Sequence, residues 1–145
     1  MNDEIKEDNL EEREKRLSLG QFFTDKREVE FMISLISNSG KILEPSCGDG
    51  AFIKRLDGEV TAIELDEKVA HPSVQIMDFF DYDISNKFST IIGNPPYVAN
   101  SKILESTRPK LKDYSTWSGK TNLSTLFIEK CLGHLEDGGE LIFIV

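Results

Sequence analysis

Strand-length apolar runs recur along this chain, and the first four close on residues able to do chemistry. Residues 41–45, 60–65, 74–77, 88–93 and 140–145 read as five short strands. Helical patterns lie between them. Asp25 with Glu28 forms a capping box, and Val29, Met32, Ile33 and Ile36 follow at helical spacing, with Asn38-Ser39-Gly40 as the stop. Residues 51–56 read as a short helix and 66–70 as a helical turn. Asn122 is placed to cap a helix with Ile128, Cys131, Leu132 and Leu135 on one face, broken by Gly138-Gly139. Strands alternating with helices predict an α/β fold: a mostly parallel sheet with helices on both faces. Such sheets bind ligands at the carboxyl ends of their strands, near the point where strand order reverses.

The 145 residues suffice for one domain with a real core, predicted over 19–145 behind an acidic N-terminal extension at 1–18. No apolar run approaches membrane-spanning length, and the acidic start carries no secretory pattern, so no membrane partner is expected. Two distant cysteines, Cys47 and Cys131, argue against a disulfide framework or a zinc site, and a cytoplasmic location is the expectation. No metal-ligand cluster is visible, and His71 and His134 read as solvated or capping residues. The net charge of −9 has the wrong sign for a phosphate-binding surface. Residues 97–120 are the exception, with Lys102, Arg108, Lys110, Lys112 and Lys120 against Glu105 and Asp113. That stretch reads equally as a nucleic-acid contact or as a solvated loop. Trp117 within it reads equally as a DNA contact or as loop packing.

The strand ends carry the informative clusters. The first runs into Glu44-Pro45-Ser46-Cys47-Gly48-Asp49-Gly50, small residues that let a backbone approach a ligand. Neither GxGxxG nor the Walker pattern is present. The second ends at Glu64, an acid able to accept both hydrogens of a ribose diol, with Asp66 a cap for the next helical turn. The third ends in Asp78-Phe79, a carboxylate for an adenine amine and a ring for its plane. The fourth ends in Asn94-Pro95-Pro96-Tyr97. Its two prolines stiffen the backbone, so that the Asn94 side-chain oxygen and the Pro95 carbonyl can aim at one place. Two acceptors on one NH2 group draw its lone pair out of the ring and make it nucleophilic. Tyr97 supplies a flat face for the substrate base.

This ordered set resembles the amino-methyltransferases of bacterial restriction–modification systems. It is most similar to the gamma-ordered DNA adenine-N6 group, in the type II branch around the TCGA-specific Thermus enzyme. The resemblance runs from about Leu19 to Val145 and includes residues 115–123 and Phe127-Ile128-Glu129-Lys130. It implies a Rossmann-like S-adenosylmethionine-dependent methyltransferase fold, cut after the fifth strand, with the last strands and the target-recognition domain absent. It implies that Thr24 and the loop Glu44, Pro45, Ser46, Cys47 and Gly48 hold the methionine end of S-adenosyl-L-methionine. By the same resemblance Glu64 takes the ribose, Asp78, Phe79 and Phe127 the adenine, and Pro96 faces the cofactor. Asn94, Pro95 and Tyr97 then bind an adenine flipped out of double-stranded DNA. Asp25 departs from the pattern, since many relatives have proline there. Alternatives are methylation of a protein glutamine or of RNA, or a catalytically silent fragment that binds cofactor only. An exposed fifth strand also suggests self-association.

Overall fold

The computed structural model describes residues 24–68 and 72–145. The acidic extension, the segment Gly20 to Phe23, and His71 lie outside the described residues.

Five strands form one parallel sheet: β1 (Ile42–Glu44), β2 (Val60–Glu64), β3 (Gln75–Ile76), β4 (Phe88–Gly93) and β5 (Leu135–Phe143), in the order β3-β2-β1-β4-β5. The chain steps outward from β1 to β3, then returns to place β4 on the other side of β1. Strand order therefore reverses between β1 and β4. Side chains alternate between two covered faces. Ile42 and Ile92 meet Val29 and Met32 of helix α1 (Lys26–Ser34) together with Phe52. Leu43, Ile63 and Ile91 meet Phe79 and, from helix α2 (Leu123–Gly133), Phe127 and Cys131. All six residues of β4 are buried, as a strand covered on both faces requires.

Three elements depart from expectation, each for a local reason. Helix α1 ends at Ser34 rather than near Gly40. The backbone N–H groups of Ser37 and Asn38 donate to the Glu140 carboxylate at 3.0 and 2.9 Å, which draws the chain off the helical path. Residues 51–56 make turns that mix three- and four-residue hydrogen bonds, and Gly58 at φ 94° closes the segment before a regular ladder forms. Strand β5 begins at Leu135, five residues early. Its register jumps from Phe88↔Leu135 to Thr90↔Glu140, so the expected glycine break is an excursion inside the strand, with Gly138 at φ 75°.

Asn122 caps α2 as expected, accepting from the Ser124 N–H at 3.0 Å. The buried face differs from the predicted one. Leu126, Phe127, Lys130 and Cys131 point inward, and Leu132 is 56% exposed. Lys130 hid this stripe in the sequence; its amine donates to the Tyr82 carbonyl at 2.7 Å while its stem lies in the core. His134 is the C-cap of α2, the capping alternative of its two readings, and is fully buried rather than solvated, among Phe79, Tyr82 and Phe88.

Candidate active site

The carboxyl ends of β1, β2 and β4 open into a cleft lined from the loops that follow them. Two loops meet there across the strand-order reversal. The Ser46 hydroxyl donates to the Asn94 carbonyl at 3.1 Å, joining the loop after β1 to the loop after β4. The Asn94 amide nitrogen donates to the Thr24 hydroxyl at 3.4 Å, which brings the start of α1 to the same place. Thr24, Pro45, Ser46, Asn94 and Pro96 all line the cleft.

The loop after β1 is shaped from beneath. Gly48 sits at φ 53°, a conformation that favours glycine. Its N–H donates to Glu64 at 2.7 Å, and the second Glu64 oxygen accepts the Asp66 N–H at 3.1 Å. Glu64 therefore braces the loop while lining the cleft wall. Cys47 is buried there, and burial, reinforced by Glu44 and Glu64, pushes its thiol pKa well up, so it is no nucleophile. Glu44 is 1% exposed. Its Oε2 finds no hydrogen-bond partner among the described residues. Burial, with Glu64 and Asp49 adding repulsion, raises its pKa well above the ordinary carboxylate value.

At the far end Phe79 is 2% exposed and stacks at 5.0 Å on Phe127, and both line the cleft. Asp78 caps the turn that follows β3, accepting the Phe80 N–H at 3.0 Å. Its other oxygen accepts from the Thr107 hydroxyl at 2.7 Å and the Lys110 amine at 3.2 Å. Among the described residues the lining holds four carboxylates, Glu44, Asp49, Glu64 and Asp78, against the single cation Lys102. A positively charged ligand group would offset the mutual repulsion of Glu44, Glu64 and Asp49.

The family model described as Eco57I restriction-modification methylase matches residues 4–145. The chain belongs to this family. Among curated relatives, the type II methyltransferase M.HincII of Haemophilus influenzae is 38% identical over 141 residues, covering 90% of this chain and 28% of that protein. The type II methyltransferase M.TthHB8I of Thermus thermophilus is 32% identical over 148 residues, covering 88% and 35%. The chain thus spans about a third of the length of these relatives. Among solved structures, a Listeria monocytogenes chain described as a class I S-adenosylmethionine-dependent methyltransferase superposes with TM-score 0.63 at 15% identity, covering 87% of this chain and 46% of its own. The glycopeptide N-methyltransferase MtfA, solved with S-adenosyl-L-methionine, gives TM-score 0.50 at 22% identity, covering 84% and 55%. These likenesses show the fold, a Rossmann-like methyltransferase sheet.

Within this Eco57I-family cleft, two expected site residues stand apart from the lining. Pro95 is buried and is not among the lining residues. The Tyr97 hydroxyl donates to the Ile144 carbonyl, just past the end of β5. The locally basic loop is less free than its composition suggests. Lys110 is engaged by Asp78 and Asp81, and Arg108 reaches the Asn100 carbonyl at 2.6 Å and lies over Trp117. Trp117 itself packs beside Val98, Ile103 and Leu111, the packing alternative of its two readings. Lys102, Lys112 and Lys120 remain exposed. Sequence reasoning missed Ile103, Leu104 and Thr107, which also line the cleft. The available signal was an apolar pair, Ile103-Leu104, between polar neighbours.

Proposed function

We propose that this chain is the cofactor-binding and catalytic part of a DNA adenine-N6 methyltransferase using S-adenosyl-L-methionine. The observation that carries this reading is the tie between Ser46 and Asn94, which sets the amine-binding tetrad beside the cofactor loop. The residues present fit the cofactor: an acidic wall with a buried, unpartnered Glu44 oxygen complements an ammonium and a sulfonium. When bound, S-adenosylmethionine supplies an electrophilic methyl group. Glu44 and the loop through Gly48 hold the methionine end, with Thr24 against Asn94. Glu64 accepts from the ribose, and Asp78, Phe79 and Phe127 frame the adenine, while Pro96 closes the cleft beside the reacting centre.

Asn94 and the Pro95 carbonyl accept the two hydrogens of the target amine, holding its lone pair toward the methyl. Tyr97 presents a face for the flipped base, its ring fixed through its hydroxyl. The exposed cations Lys102, Lys112 and Lys120 supply phosphate contacts. DNA is favoured over glutamine or RNA because relatives at 32–38% identity are named type II methyltransferases. Incubation with tritiated S-adenosylmethionine and duplex DNA, followed by digestion to nucleosides, is expected to give N6-methyladenine. Label confined to cytosine, or to protein, overturns the reading. β5, one of the two edges of the sheet among the described residues, is the surface for self-association, read by sizing chromatography against concentration.

A further inference from the structure

The loop from Val98 to Thr121 carries more than a connection, because two of its side chains end on Asp78. We infer that Thr107 and Lys110 are positioning residues for cofactor recognition: they hold the Asp78 carboxylate where it selects an adenine amine. The inference rests on the S-adenosylmethionine reading of the cleft and deepens it.

A carboxylate offers about four acceptor sites on two oxygens. In Asp78 one oxygen takes the Phe80 N–H, and the other takes Thr107 and Lys110. Three donors from two directions fix the side-chain rotamer and leave acceptor capacity toward the cleft, which Asp78 lines. The donors are themselves anchored. Thr107 is 4% exposed, and its N–H donates to the Leu104 carbonyl at 3.0 Å. Ile103 and Leu111 flank it in a buried cluster with Leu126 of α2. Lys110 is pinned a second time, at 2.7 Å, by Asp81. The segment that follows the amine-binding tetrad is thereby fastened to the opposite end of the cleft.

The consequence is selectivity. An oriented carboxylate attracts an exocyclic amine and repels a carbonyl at the same ring position. The protein should therefore bind S-adenosylhomocysteine much more tightly than its deaminated, hypoxanthine-bearing counterpart. Titration calorimetry with both ligands tests this. In Thr107→Val, affinity for the adenine ligand is expected to fall about tenfold, the scale of one lost hydrogen bond to a charged group. Affinity for the deaminated ligand should change little, so the preference shrinks. Lys110→Met should act in the same direction, Thr107→Ser should keep the preference, and Lys41→Met, at an exposed side chain outside the cleft lining, should match wild type. Lys110→Met carries the same comparison if Thr107→Val does not fold. Equal losses for both ligands, or an unchanged preference, overturn the positioning role alone. Wild-type protein that binds neither ligand overturns the cofactor reading, and this inference with it.

Discussion

The two ends of the cleft treat a carboxylate in opposite ways. At the β3 end, Asp78 is surrounded by donors before any ligand arrives. At the β1 end, Glu44 is buried among other acids, with the Ile53 N–H for company and one oxygen unpartnered among the described residues. The first end is assembled by the fold. The second is held at a cost in the fold's own stability, and a cationic ligand group would relieve it. A site that must both preorganise one part of a ligand and grip another by charge can divide the work this way.

The sharpest break of that comparison is Phe79→Ala. The ring sits in the main core against Phe127, Phe80 and His134, so its removal should cost about 3–5 kcal/mol. Denaturant midpoints should show it as a large drop, with nucleoside affinity lost alongside. An equally large drop for Ser46→Ala, which removes a single hydrogen bond at the other end, would erase the distinction. A smaller effect is expected from Asp78→Asn, which weakens the contacts to Thr107 and Lys110 and should destabilise by roughly 1–3 kcal/mol. A variant as stable as wild type would mean that the β3 end is not built by these bonds.

How much of this was legible depended on whether the signal was local. β4 was readable to the residue, because six consecutive buried positions leave one continuous apolar run ahead of Asn94. The place of the loop after β1 and of Glu64 on the cleft was readable because each lies at the carboxyl end of its strand. The inward face of α2 was not, since Lys130 disguises a buried position as a polar one. The early end of α1 depends on Glu140, more than a hundred residues away, and no local pattern announces that contact. Thr107 and Lys110 fall in the same class. Nothing in their neighbourhood points to Asp78, and only the fold brings them there.

The smallest predicted effect bears on the β1 end and has a distinctive sign. Because the folded Glu44 holds its proton more tightly than the unfolded chain does, pH decides what its burial costs. Below the ordinary carboxylate range both states keep the proton, and burial costs little. As pH rises above that range the unfolded chain releases its proton while the fold retains it, so stability drains until the folded carboxyl also ionises. Glu44→Gln removes the proton uptake and keeps the shape. Thermal unfolding curves of variant and wild type should nearly coincide near pH 4.5. They should separate toward pH 8 with the variant higher, by about 1 kcal/mol, the scale of one unsatisfied buried polar group. The same carboxyl-to-amide change thus destabilises at Asp78 and stabilises at Glu44. A Glu44→Gln variant less stable than wild type at pH 8 would place an undetected donor on that oxygen and make the two ends alike.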